Sequence, residues 1–407
     1  MSITSAGPSA ESRPRAGRYG KTTMAILLAV SASHLLNDIM QSLLTAIYPL
    51  LKSNYDLDFV QIGLLTLTFR VTASMLQPVV GMATDRWPMP YSLPVGMSCT
   101  FFGLILLGNA AHFPMLLTGA GMIGLGSAVF HPEATRVARL ASGGRHGLAQ
   151  SVFQVGGNLG SALGPLIAAF IVLPLGQGSV AWLSVIAMLG VFILTKVGAW
   201  YAQQARLNRG KPRESRALPL PKPLVAQALL VLVALTATKN IYTASLSSYY
   251  TFYVIEVFGV SVRHSQILLF IFLGATAAGT IVGGPIGDRW GARFVIWFSI
   301  LAAIPFALML PYANLFWTGV LTAVIGLILA SAFPAIIVFG QQLMPGRVGM
   351  VGGLFFGFSF GFGGLGATLL GALADIRDIE YVYWVCSFVP LLGLLTVLLP
   401  RIPAGDD

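Results

Sequence analysis

Charge is scarce in this chain. Only 9% of its 407 residues are Asp, Glu, Lys or Arg, where an ordinary soluble protein carries about 25%. So few charges cannot dress the water-facing surface of a 43.2 kDa protein. A soluble enzyme, an ordinary nucleic-acid-binding protein and a disordered chain are excluded on that ground. Cysteine is almost absent: Cys99 and Cys386 both sit in apolar runs without metal-ligand spacing and read as buried thiols. Strict alternation of apolar and polar residues is also missing, which excludes a membrane β-barrel. What is abundant is apolar: 56% of the residues, with 46 Gly and 25 Phe and a mean hydropathy of +0.80. This is the composition of an all-α polytopic membrane protein.

A helix crossing a hydrocarbon core of about 30 Å takes roughly 20 residues. The apolar runs predict twelve such helices, at 23–51, 58–84, 91–110, 113–140, 146–173, 179–203, 222–257, 263–287, 292–311, 315–342, 347–374 and 380–400. Residues 1–20 are polar and rich in Ser, Pro and Arg, and are expected to be a disordered tail. The first apolar run is too long for a signal-peptide core, so no cleavage is expected. The organisation that follows is a bundle of six helices over 21–203, a polar linker over 204–221, a second six-helix bundle over 222–400 and a short tail over 401–407.

Basic residues set the expected orientation. Eighteen lie in the tails, the linker and the even-to-odd loops, whereas only Lys52, Arg263 and Arg377 lie in the opposite loops. Acidic residues divide evenly between the two sides. By the positive-inside rule both termini are expected in the cytoplasm.

The halves repeat each other at an offset of 202 or 203. Gly81-Met-Ala-Thr-Asp85-Arg86-Trp87 aligns with Gly284-Pro-Ile-Gly-Asp288-Arg289-Trp290. Gly124, Pro132, Arg145 and Gly164 align with Gly326, Pro334, Arg347 and Gly366. Parallel six-helix repeats of this kind place a substrate site at mid-membrane between the halves.

The Gly-x-x-x-Asp-Arg motif after spans 2 and 8 suits a conformational role. Its Gly lets two helices approach closely, and its Asp can pair with a neighbouring helix end or a basic group. Both copies resemble the signature loop of the major facilitator superfamily. Pro88 departs from that pattern in the first copy, which weakens its expected latch. In span 5, Gly160-x-x-x-Gly164-Pro165 resembles the antiporter motif of drug-exporting members, with Ala168 and Ala169 replacing two glycines. The same spacing would also serve packing alone. Ala120 stands where many drug exporters carry a membrane arginine, so proton handling must use other residues. Longer stretches at 34–51, 129–166, 247–254 and 344–367 resemble the branch of bacterial drug exporters in this superfamily that act on a phosphonate antibiotic. The resemblance implies twelve helices in two pseudo-repeats and alternating access. It also implies efflux of a small anionic phosphonate such as fosmidomycin against inward proton flow.

An ionisable side chain at mid-membrane is costly and marks function by default. Asp38 lies halfway along span 1, with His34 one turn earlier on the same face. Carboxyl groups withdrawn from water are suited to loading and unloading protons, and histidine titrates near neutral pH. Asp38 and His34 are therefore candidates for proton coupling. The alternative is a structural ion pair between Asp38 and Arg70. His131 and Glu133 in span 4 are candidates for an inner relay, although Arg136 at i+3 from Glu133 offers a local pair instead.

An anionic substrate needs cations and donors. Arg70 and Lys239 supply charge, and Gln154, Asn158 and Asn240 supply amides. Tyr249, Tyr250 and Tyr253 offer hydroxyls, or else form an outer aromatic belt. The expected partners are a small anionic substrate, protons and the lipid bilayer, with no cofactor, no metal and no nucleic acid, for a chain acting as a monomer. A facilitator moving an endogenous organic phosphate, sugar or other metabolite in either direction would share every one of these features. No catalytic dyad or nucleophile motif is apparent, so an intramembrane enzyme is not expected.

Overall fold

The computed structural model describes residues 22–207 and 217–402. The expected N-terminal tail, half of the linker (208–216) and the C-terminal end (403–407) lie outside the described residues. Every regular element among the described residues is helical. Eleven helical segments are long and apolar enough to span a membrane: Met24–Ala46, Gln61–Arg86, Phe113–Ala141, His146–Leu175, Ser179–Leu207, Lys222–Ser248, Ile267–Trp290, Ala292–Tyr312, Leu315–Leu343, Val348–Ala374 and Ile379–Leu398. The shorter apolar helix Ser92–Gly108 completes twelve and takes the third place. Spans are numbered 1–12 in that chain order.

The expected boundaries are interrupted in ways that hydropathy does not encode. Span 1 breaks at Ile47 and continues as Tyr48–Tyr55. Span 7 breaks at Tyr249 and continues as Tyr250–Phe258. Span 2 carries a π-helical turn at Val71–Met75, next to Arg70, and span 5 carries another at Ala168–Val172, after Pro165. Such turns accommodate one residue too many for a regular helix and recur at functional sites. Span 12 finishes as a 3₁₀ helix over Val389–Leu398.

Lipid tails give apolar helices no hydrophobic reason to associate, so close approach and hydrogen bonds decide the packing. Span 5 supplies both against span 1. A side chain at Gly156 would strike the backbone of Ser31, one at Gly160 the backbone of Leu35, and one at Gly164 the hydroxyl of Ser42. With those side chains absent, Ser31 Oγ donates to the Val152 carbonyl at 2.6 Å. The Gly160 and Gly164 spacing is therefore the seam that presses span 5 onto span 1. Replacing Gly160 by Leu is expected to lower the thermal stability of the detergent-solubilised protein, at a cost of about 1–3 kcal/mol or more for overpacking. A melting curve unchanged from the parent protein would refute the seam.

Candidate functional site

The two signature motifs close one end of the molecule, the end where both halves begin. Asp85, at the end of span 2, accepts hydrogen bonds from the backbone N–H groups of Gly349 at 3.0 Å and Met350 at 2.8 Å, at the start of span 11. Asp288, at the end of span 8, accepts from Gly147 at 2.6 Å and Leu148 at 2.9 Å, at the start of span 5. Each carboxylate thus crosses between the halves to satisfy the first-turn donors of the opposite helix, where the helix dipole also favours negative charge. The glycines make the approach possible: a side chain at Gly81 would collide with the backbone of Gly349, and one at Gly284 with that of Gly147. Arg86 and Arg289 take no part in these caps; they lie over the rings of Trp87 at 4.9 Å and Trp290 at 5.7 Å.

The first latch has a buried extension that the second lacks. Arg136 contacts the Asp85 carboxylate at 2.5 Å, the Thr84 carbonyl at 2.7 Å and Glu133 at 2.7 Å. Glu133 also accepts from Ser92 Oγ at 3.3 Å. Span 4 turns Glu133 toward the latch, while His131, two residues earlier, faces span 1. The structure therefore does not bring His131 and Glu133 together as an inner relay; Glu133 has the local partner Arg136. Pro88, the departure from the family pattern, leaves the Asp85 cap intact.

Deeper in the molecule, the fold gathers a cluster of two imidazoles around Asp38. His34 Nε2 lies 3.5 Å from Asp38 Oδ2, and His131 Nε2 lies 3.7 Å from Asp38 Oδ1. His34 Nδ1 meets the carbonyl of Phe153 at 2.8 Å, and its ring stacks on that phenylalanine with centroids 4.1 Å apart. His131 Nδ1 meets the Ser127 carbonyl at 3.1 Å. Amide donors from Asn37 and Gln41 both reach Asp38 Oδ1 at 3.0 Å, and Ser161 Oγ reaches Oδ2 at 3.4 Å. Ser127 links the set by donating to Gln41 Oε1 at 3.0 Å. Asp38, His34 and His131 are all buried.

Two cavities meet at Asp38 and Ser161. One, of about 210 Å³, is lined by His34, Asp38, Gln154, Asn158, Lys239 and Asn240, with hydroxyls from Thr243, Thr276, Thr280 and Ser359. The other, of about 180 Å³, holds Arg70 beside Asp38, Gln41 and Ser42. Asn158 Nδ2 donates across the halves to Thr280 at 3.2 Å, and Asn240 Nδ2 donates to Ser359 at 3.2 Å. Lys239 Nζ rests 5.1 Å from the centroid of the Phe333 ring.

Four of the expected substrate-binding residues, Lys239, Gln154, Asn158 and Asn240, thus face the first cavity and Arg70 the second, whereas the three tyrosines face neither. Tyr249 donates to the Ala367 carbonyl at 2.7 Å, Tyr250 Oη pairs with Thr322 at 3.0 Å, and Tyr253 stacks on Tyr383 at 4.0 Å. They line neither cavity, and Tyr250 and Tyr253 are buried in the C-terminal half's own core. Tyr249 itself packs against that same core. Sequence reasoning missed Gln41, Ser127, Ser161 and the Phe153 carbonyl. Only Gln41, one turn from Asp38, carried a local signal.

The comparisons with known proteins agree with this architecture. The family model for the Major Facilitator Superfamily matches residues 30–365. The chain is a major facilitator superfamily transporter. It is 56% identical to the fosmidomycin resistance protein of Escherichia coli (strain K12), over 96% of this chain and 98% of that protein. It is 40% identical to the uncharacterized MFS-type transporter YfnC of Bacillus subtilis (strain 168), over 94% of each. The crystal structure of FucP in the outward conformation superposes with a TM-score of 0.71 at 15% identity, covering 92% of this chain and 98% of that one. The expected twelve-helix facilitator fold and the multi-pass membrane character therefore hold.

If the two Asp caps hold this end shut, Asp85→Asn combined with Asp288→Asn must loosen it. In a background lacking Cys99 and Cys386, a cysteine introduced at the buried Gln150 is expected to react with a water-soluble maleimide about tenfold faster or more when both caps are removed, since hydrogen bonds to charged groups contribute about 1.5–3 kcal/mol each. Equal rates would show that the caps do not hold the closed end.

Proposed function

We propose that this transporter exports a small anionic phosphonate such as fosmidomycin across a bacterial inner membrane by proton antiport, with both termini cytoplasmic. The observation that carries the reading is the shared cavity. Lys239 and the amides of Gln154, Asn158 and Asn240 suit a compact anion. On the wall of the same space, Asp38 and His34 suit a proton. The 56% identity to the fosmidomycin resistance protein supports the substrate class and the outward direction. In this reading the Asp85 and Asp288 caps shut the cytoplasmic end after the anion has entered. Proton arrival at Asp38 from the other side then accompanies its release, and the halves rock back.

One observation favours a second reading. A proton added beside Lys239 makes the cavity more positive, which favours an anion electrostatically rather than expelling it. That is the electrostatics of cotransport, and it suits a facilitator importing an organic phosphate or similar metabolite. Cells expressing the chain separate the two readings: export raises tolerance to fosmidomycin, and import lowers it.

Two substitutions test the residue roles in everted vesicles. Asp38→Asn is expected to abolish proton-driven uptake of fosmidomycin. Lys239→Gln is expected to raise KM about tenfold or more, the loss of a charge-assisted contact of about 1.5–3 kcal/mol. Proton-driven uptake persisting in Asp38→Asn would refute its assignment as proton carrier, and an unchanged KM in Lys239→Gln would remove the lysine from the substrate site.

A further inference from the structure

Both imidazoles turn Nδ1 to a backbone carbonyl and Nε2 toward Asp38, and they differ in which carboxylate oxygen they face: His34 faces Oδ2 and His131 faces Oδ1. A ring nitrogen facing a backbone carbonyl must carry the hydrogen, because a carbonyl oxygen only accepts. His34 Nδ1 at 2.8 Å from the Phe153 carbonyl is therefore the N–H, and Nε2 of the neutral ring is the bare lone pair. His34 Nε2 lies 3.5 Å from Asp38 Oδ2 and receives no hydrogen bond. Two acceptors facing each other in a buried site are unfavourable until something positive lies between them. The two oxygens of Asp38 are not equivalent in this respect. Oδ1 already receives the Asn37 and Gln41 amides at 3.0 Å, whereas Oδ2 has only the longer contact from Ser161 at 3.4 Å.

We propose that the transported proton is held as a hydrogen bond between His34 Nε2 and Asp38 Oδ2. His131 is a positioning residue on the Oδ1 side: its Nδ1 meets the Ser127 carbonyl, and Ser127 Oγ donates on to the Gln41 amide that holds Asp38. The inference deepens the proton-coupled reading above and rests on it. The pair lines the 210 Å³ cavity, so the proton enters and leaves by the route open to substrate. The other charged groups around it are His131 from span 4, Lys239 from span 7 and Arg70 from span 2.

Gly157 leaves the room that this bond requires. A side chain there would strike the His34 ring at Nε2 and Cε1 and approach Asp38 Oδ2. Span 5 thus contributes the lid over the proton as well as the Phe153 carbonyl that fixes the tautomer. The atoms balance simply: a proton from water in the cavity bridges two existing acceptors, and its release restores both.

The chain has only five histidines, so ¹⁵N spectra of the histidine-labelled, reconstituted full-length protein can be assigned with His34→Gln and His131→Gln. On acidification the His34 Nε2 resonance is expected to move to a hydrogen-bonded position, and Asp38→Asn is expected to abolish that step. His34→Gln is expected to lower proton-driven uptake in everted vesicles about tenfold or more, as for a lost hydrogen bond to a charged group. A His34 Nε2 resonance unmoved while Asp38 titrates would place the proton on the carboxylate alone and overturn the inference, leaving the proton-coupled reading standing. Proton-driven uptake surviving in Asp38→Asn would instead sink that reading. A metal that copurifies with the parent protein and is lost from His34→Gln would also overturn the inference, making the pair a metal site.

Discussion

A carboxylate cannot be left bare inside a membrane protein, and the structure is organised around meeting that constraint. The described interior carboxylates meet it in three different ways. Asp85 and Asp288 are satisfied by the first-turn N–H groups of helices in the opposite half. Glu133 is satisfied by Arg136. Asp38 has two amides, a hydroxyl and two imidazoles. Only the first of these solutions depends on the halves being in one particular relation, because its donors come from across the interface. When the halves move, the partners of Asp85 and Asp288 must change, whereas the donors that hold Asp38 come from spans 1, 4 and 5 of one half and move with it.

The duplication gives the two halves the same helices but different chemistry at matched positions. Under the offset of 202, His34, Asn37, Asp38 and His131 correspond to Thr236, Lys239, Asn240 and Phe333. The first half therefore carries the titratable cluster, and the second carries the cation, which rests on an aromatic ring. The cavity between them is asymmetric although the fold is not. That division separates a place for a proton from a place for an anion within one space of about 210 Å³. Arg136 and Glu133 correspond to Val338 and Ala335, so the charged extension of the latch also exists in one half only.

The spans, the repeat and the signature motifs were legible in the sequence because they are local or periodic. Hydropathy marks where helices run, and an offset marks what repeats. The pairing of His34 with Asp38 was legible too, since i and i+4 share a helix face. The approach of His131 to the same carboxylate was not. It depends on how spans 1, 4 and 5 rotate against each other, which the glycine seam of span 5 decides only once the helices are packed. Neighbouring residues on span 4 illustrate the limit: His131 and Glu133 are close in sequence yet face different environments. The packing of the span 7 tyrosines into their own bundle was hidden for the same reason, since it too depends on how the helices rotate against each other.

The account stands on one cavity serving a proton and an anion in opposite directions. The most direct measurement is the simultaneous recording of proton and fosmidomycin fluxes in proteoliposomes containing the purified full-length chain. The account predicts that the two fluxes run oppositely in a fixed ratio, and that dissipating the pH gradient stops uphill movement of the phosphonate. Fluxes running in the same direction, or phosphonate movement indifferent to the gradient, would contradict it.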